Sequence, residues 1–129
     1  MRIGELANQT GVNVETIRYY ERAGILPQPR RTPNNYRVYT DTHRRRLRFV
    51  RRARDLGFKL DEVRTLLRMI DGGDYTCSEV KEIGAAQLGA VRSRIADLRR
   101  MERALTELTA RCTGSQTPDC SMLEALYDG

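Results

Sequence analysis

Cys77, Cys112 and Cys120 are the three cysteines of this 129-residue chain, and they bracket one long amphipathic stretch. Thiolates are nucleophiles and soft-metal ligands, so their spacing bounds the chemistry open to them. Read as one helix over about 76–111, the stretch rises ~1.5 Å per residue and sets Cys77 roughly 50 Å from Cys112. Thiols that far apart share no ligand within one chain. Across an antiparallel pair of such helices, Cys77 of one subunit faces Cys112 and Cys120 of the other. The spacing predicts a soft-metal site that exists only in a dimer.

Three thiolates without a histidine make a sulfur-only site. Zn(II) prefers four ligands, often with His among them, whereas a trigonal sulfur site suits Hg(II) and also Pb(II) or Cd(II). The sole histidine, His43, lies far from the thiols in sequence and reads as a surface residue near a helix start. A cysteine nucleophile needs a neighbouring base, and no phosphate-cradling glycine loop or paired carboxylates stand out, so the chain does not read as an enzyme. An odd cysteine count argues against a disulfide framework. A thiol-oxidation switch using Cys112 and Cys120 is the alternative of another kind.

Several elements must position these thiols. Thr76-Cys77-Ser78-Glu79 reads as a capping box, with Thr76 as N-cap and Glu79 reaching back. Cys77 then takes the first helical position, where free N–H groups and the dipole favour a thiolate. Val80, Ile83, Leu88, Val91, Ile95, Leu98, Leu105 and Leu108 follow as one apolar stripe, uninterrupted by Pro. Nothing else in the chain is large enough to cover it, and a coiled-coil dimer does. A loop of seven residues separates Cys112 from Cys120, and a short helix over about 121–127 closes the sequence.

The front of the chain differs in charge. Residues 1–59 carry 14 Arg and Lys against 5 Asp and Glu, while residues 60–129 carry 9 against 12. A basic lobe of this kind points to a polyanion, most simply DNA. Ile3, Leu6 and Ala7 fit a helix stopped by Gly11, and Asn13 caps a second helix that ends at Gly24. Two short helices around a tight turn form a helix-turn-helix, whose second helix enters the major groove. There Val14, Ile17 and one tyrosine face inward, leaving Thr16, Arg18 and the other tyrosine outward. Pro27, Pro29, Pro33 and Asn34-Asn35 then forbid helix, and Tyr36–Tyr39 alternate as a short strand, which predicts a β-wing. Thr40 or Asp41 caps a third helix to about Leu56, rich in arginine, with Leu47, Phe49 and Val50 inward. A fourth helix over about 60–71 ends at Gly72-Gly73. No apolar run approaches the ~20 residues of a membrane span, and no signal-like leader opens the sequence, so a soluble cytoplasmic protein is expected.

In order and spacing, GELA, TGVNVETIRYYERAGIL, YRVYT, RLRF and RDLGFKLDEV resemble the MerR family of bacterial transcriptional regulators. Cys77, IADLRRMERALTEL and the Cys112–Cys120 loop resemble its metal-sensing branch, especially the mercury regulators. The resemblance implies a mainly α fold: a winged helix-turn-helix lobe over 1–72, an antiparallel coiled-coil dimerisation helix over 73–111, and a metal-binding loop with a short helix over 112–129. It also implies a homodimer that represses when metal-free. With metal it stays on the promoter and untwists an overlong spacer, acting on RNA polymerase through the DNA. At matching positions, Arg18, Tyr19 and Tyr20 lie on the recognition helix and Tyr36 and Arg37 in the wing. Arg18 is the leading candidate for a base or phosphate contact, Tyr20, Tyr36 and Arg37 position the backbone, and Arg31 and Arg54 are further phosphate candidates. Cys at position 77 resembles divalent sensors, whereas the seven-residue loop resembles the monovalent ones. Hg(II) ranks first, then Cd(II), Pb(II) and Zn(II), with Cu(I) last.

Overall fold

The computed structural model describes residues 1–112, 114–116 and 118–128. The chain divides into two compact units, Met1–Lys81 and Glu82–Gly129, so the division falls inside the long helix.

In the first unit, helix α1 (Ile3–Thr10) ends at Gly11, whose φ of +71° lets its N–H return to Ala7 O at 2.8 Å. A β-carbon at Gly11 would collide with the Arg51 guanidinium, which covers the turn. Helix α2 (Val14–Arg22) starts where Asn13 Oδ1 accepts the Thr16 N–H at 2.8 Å, as its sequence predicts. At its exit the Ile25 and Leu26 N–H groups both return to Tyr20 O.

The wing is a short antiparallel pair, β1 (Arg30–Arg31) and β2 (Arg37–Val38), with Arg30 opposite Val38 and Arg31 opposite Arg37. The strand is thus shorter than the Tyr36–Tyr39 alternation suggested, because Asn35 turns with φ +67° and Tyr36 closes the turn through Thr32. Tyr39 has left the ladder to enter the core with Leu6, Val12, Ile17, Leu26 and Leu47. Helices α3 (Asp41–Asp55) and α4 (Leu60–Gly72) pack against each other, with Val50, Ala53, Phe58, Val63 and Leu67 buried. Phe49 is only half-buried.

His43 corrects a sequence expectation. It is 5% exposed and not on the surface. Its Nδ1 accepts the Thr40 N–H at 3.1 Å, and its Nε2 lies 3.1 Å from Pro27 O. These partners define an imidazole with its proton on Nε2, donating to Pro27. His43 therefore plays the part that Glu or Gln plays in a capping box, while its ring stands edge-on to Tyr39 at 5.3 Å.

Helix α5 (Cys77–Ala110) is continuous over 34 residues and buries none of them. Thr76 Oγ1 accepts the Glu79 N–H at 3.2 Å, as predicted. The Glu79 carboxylate, however, meets the Thr76 hydroxyl at 3.3 Å and not the N–H it was expected to reach. Most of the apolar stripe is open, with Leu88, Ile95, Leu98 and Leu105 between 41% and 62% exposed. In the second unit, helix α6 (Ser121–Asp128) is tied back by Ser121 Oγ donating to Arg111 O at 3.0 Å.

One buried charge joins the recognition helix to the wing. Glu21 is 4% exposed, and its carboxylate accepts a hydrogen bond from the Tyr39 hydroxyl. Burial of Tyr39, reinforced by that bond and by the Glu21 charge, pushes its phenol well above the ordinary tyrosine range. A phenol whose pKa is raised by folding contributes stability that is complete below the unfolded value of about 10 and is lost as pH rises beyond it. In an ultraviolet alkaline titration, one of the six tyrosines should therefore ionise only as the lobe unfolds. Tyr39→Phe should abolish that late step and cost about 1–3 kcal/mol in urea unfolding. A late step that survives in the variant would assign it to another tyrosine.

Candidate DNA interface and metal-binding thiols

Helix α2 presents the expected outward face. Arg18 keeps 43% of its side chain exposed and pairs with Glu15 at 3.3 Å, a contact weak enough to yield to phosphate. Tyr19 is 48% exposed, whereas Tyr20 is half-buried and packs on the core, which settles which tyrosine points out. Their rings stand 6.0 Å apart and tilted. Thr16 is half-buried, and its backbone N–H is held by Asn13.

The wing residues are more constrained than their sequence suggests. Tyr36 is half-exposed, with the Arg2 guanidinium 4.0 Å above its ring. Arg37 Nε lies 3.7 Å from Glu21 Oε2, so the buried carboxylate holds a wing cation as well as Tyr39. Arg31 donates to Asn35 O and Asn35 Oδ1 across the hairpin turn. Arg54 donates to Phe58 O at 3.0 Å.

The arginine run of α3 divides by direction. Arg46, Arg48 and Arg51 donate to the carbonyls of Ile25, Gln9 and Thr10, where a helix or its exit leaves acceptors open. Arg44 pairs with Asp41 one turn earlier. A run that resembles a plain phosphate-binding patch is thus partly an internal scaffold. Sequence reasoning missed Glu21 and Arg46, although Glu21 carried a signal. It stands four residues after buried Ile17, on the inward stripe, where an unpaired carboxylate is costly.

The thiols sit at the termini of secondary structure. Cys77 opens α5 and is exposed, Cys112 lies just beyond its end and is exposed, and half-buried Cys120 precedes α6. All three are free. The Glu124 N–H returns to Cys120 O at 3.1 Å, which seats Cys120 at the N-cap position. Among the described residues, no three His, Cys, Asp or Glu side chains of one chain are grouped to hold a metal ion.

Residues 1–70 match the family described as MerR HTH family regulatory protein, and residues 44–108 match the family described as MerR, DNA binding. The chain belongs to the MerR family. Among its relatives, the mercuric resistance operon regulatory protein of Bacillus cereus is 40% identical over 97% of this chain and 96% of its own. The HTH-type transcriptional regulator ZntR of Escherichia coli (strain K12) is 44% identical over 99% and 93%. The structure of the transcription regulator PbrR691 from Ralstonia metallidurans CH34 in complex with lead(II) superposes with a TM-score of 0.83, at 39% identity and 98% coverage of both chains. The MerR-family match identifies a DNA-binding transcriptional regulator, not an enzyme. Among the described residues, no helix is long and apolar enough to cross a membrane.

Arg18 keeps its guanidinium on the outward face of α2, held only by the exposed Glu15. Arg18→Ala should weaken operator binding by about 1–3 kcal/mol in a fluorescence anisotropy titration at physiological salt, and leave metal stoichiometry intact. Unchanged operator affinity would remove Arg18 from recognition.

Proposed function

We propose that this MerR-family chain is a soft-metal-responsive regulator of promoter DNA, acting as an antiparallel homodimer with Hg(II) as its favoured effector. The observation that carries the reading is the placement of three free thiols around one helix whose apolar stripe is open. Residues 1–72 read the DNA, 73–111 dimerise, and 112–129 complete the metal site. At the ordinary helical rise, the 34 residues of α5 extend about 50 Å. A partner running the other way covers the stripe and brings Cys112 and Cys120 of the partner subunit to Cys77.

The donor set fits a soft ion. Three thiols, two of them exposed and none in a disulfide, supply sulfur alone. His43 is committed to Thr40 and Pro27 in the core, which removes the one imidazole from the ligand set. That chemistry favours Hg(II), with Cd(II), Pb(II) and Zn(II) as alternatives and Cu(I) last. The relative named for mercuric resistance and the structure in complex with lead(II) support a heavy-metal effector and do not choose among these ions.

Metal changes the promoter and not merely the occupancy. Bending or untwisting a site of operator length costs on the order of 1–6 kcal/mol, and moving a two-state equilibrium from 1:99 to 99:1 takes ~5.5 kcal/mol of differential affinity. Coordination of a soft ion by three thiolates, preferred in one lobe arrangement, supplies that difference. RNA polymerase responds through the DNA, and the protein acts in the cytoplasm.

Titrating the reduced protein with Hg(II), Cd(II), Pb(II), Zn(II) and Cu(I), while following thiolate charge-transfer absorption, should show tightest binding for Hg(II). The band should be lost in each of Cys77→Ser, Cys112→Ser and Cys120→Ser, and mixed dimers carrying complementary defects should regain half of the sites. Undiminished divalent binding by Cys77→Ser would overturn the intersubunit site. A promoter response to oxidant and to none of the metals would assign the thiols to redox sensing instead.

A further inference from the structure

Arg46 makes three directed bonds with one guanidinium. Its Nε donates to Ile25 O at 2.8 Å, while Nη1 and Nη2 donate to Asp71 Oδ1 and Oδ2 at 2.7 and 3.0 Å. The side chain is 20% exposed, and the planar fork fixes both the distance and the tilt between its partners. Ile25 belongs to the exit of the recognition helix, since its own N–H is bonded to Tyr20 O. Asp71 is in the last turn of α4, directly before Gly72 and the left-handed Gly73. A short segment then leads to Thr76, the cap of α5, and to Cys77.

We infer that Arg46 is the positioning residue through which the Cys77 end of α5 is coupled to the recognition helix. Asp71 is the last side chain of α4 held from outside its own helix before two glycines, and Arg46 connects it to the backbone behind α2. Displacement of the segment that carries Cys77 pulls on α4, and the fork passes both translation and rotation to Ile25. The hydrogen bonds from Arg46 hold the Asp71 carboxyl below the ordinary carboxylate range. Arg64 and Arg68 line the same cleft beside Gly24, Ile25 and Leu67. Arg68, three residues before Asp71, offers it a substitute cation, but one on the same helix, which carries nothing across to α2. Loss of Arg46 thus removes the crossing link while leaving the local charge balanced.

This inference rests on the metal-responsive reading, and its test separates the two. Wild type, Arg46→Lys, Asp71→Asn and the double variant are compared as full-length protein, with Hg(II) as the probe. The lobe should remain folded, with melting by circular dichroism lowered by no more than a few degrees, while thiolate charge-transfer stoichiometry and metal-free operator affinity should stay near wild type in all of them. The Hg(II)-induced gain in run-off transcription, and the matching base unstacking reported by 2-aminopurine in the spacer, should fall by ~10-fold or more, within the usual range of coupling factors. The double variant should lose no more than either single one, as expected of one shared link. Wild-type induction in Arg46→Lys and Asp71→Asn would overturn the coupling. So would a parallel loss of metal-free operator affinity, which would make Arg46 a structural prop of the lobe. A wild-type protein that bound no Hg(II) would remove the metal reading itself, whatever the variants did.

Discussion

The DNA-binding lobe has to fold while carrying a large excess of positive charge, and its architecture follows from how that repulsion is handled. Its first 59 residues hold 14 Arg and Lys against 5 acids. Self-repulsion of this size opposes a compact state unless cations find partners or water. Two devices meet the requirement. Arginines donate to backbone carbonyls at helix ends, as Arg51 does to Thr10, Arg48 to Gln9 and Arg54 to Phe58. The scarce acids stand at joints between elements, as Glu21 does between α2 and the wing and Asp71 does between α4 and α3. Each acid offsets repulsion and fixes a crossing at the same time.

This solution shapes the surface left for DNA. Guanidinium groups directed inward hold the scaffold rigid, and fewer cations than the sequence offers remain to meet phosphate. Arg37 stands between the two tasks. Its Nε faces a buried carboxylate while a third of its side chain stays exposed, so whatever repositions it also acts on α2 through Glu21. Because Glu21 also accepts the Tyr39 hydroxyl, the wing and recognition helix share one buried group.

What could be read from the sequence was what depends on near neighbours. Asn13 and Gly11 marked helix ends because capping acts over three or four residues, and Thr76 marked the start of α5 for the same reason. The span from Cys77 to Cys112 was legible because helical rise turns sequence separation into distance along α5. His43, Glu21 and Arg46 were not read correctly, because their partners lie 16, 18 and 25 residues away and meet only after the helices pack. A histidine near a helix start reads as surface until Pro27 is brought over its ring. An arginine in a run of arginines carries no mark of which neighbour will turn inward. The ion is harder still, since Hg(II), Cd(II) and Pb(II) all accept sulfur-only sites.

Helix α5 shows why sensing and pairing are one problem on the proposed reading. Its seam advances mostly by threes and fours from Val80 through Ile83 to Leu108, and half-buried Gln87 lies one turn after Ile83. Apolar contacts alone tolerate sliding, because each heptad resembles the next, whereas a polar side chain in the seam favours one register. A slip of one heptad moves the strands by ~10 Å, several times a metal–sulfur bond of ~2.3 Å. The thiols at opposite ends of α5 therefore meet in a single register, and coordination rewards only that one. A metal ion bound there does more than occupy a site: it selects the dimer alignment in which both DNA-binding lobes are held in a defined relation to the promoter.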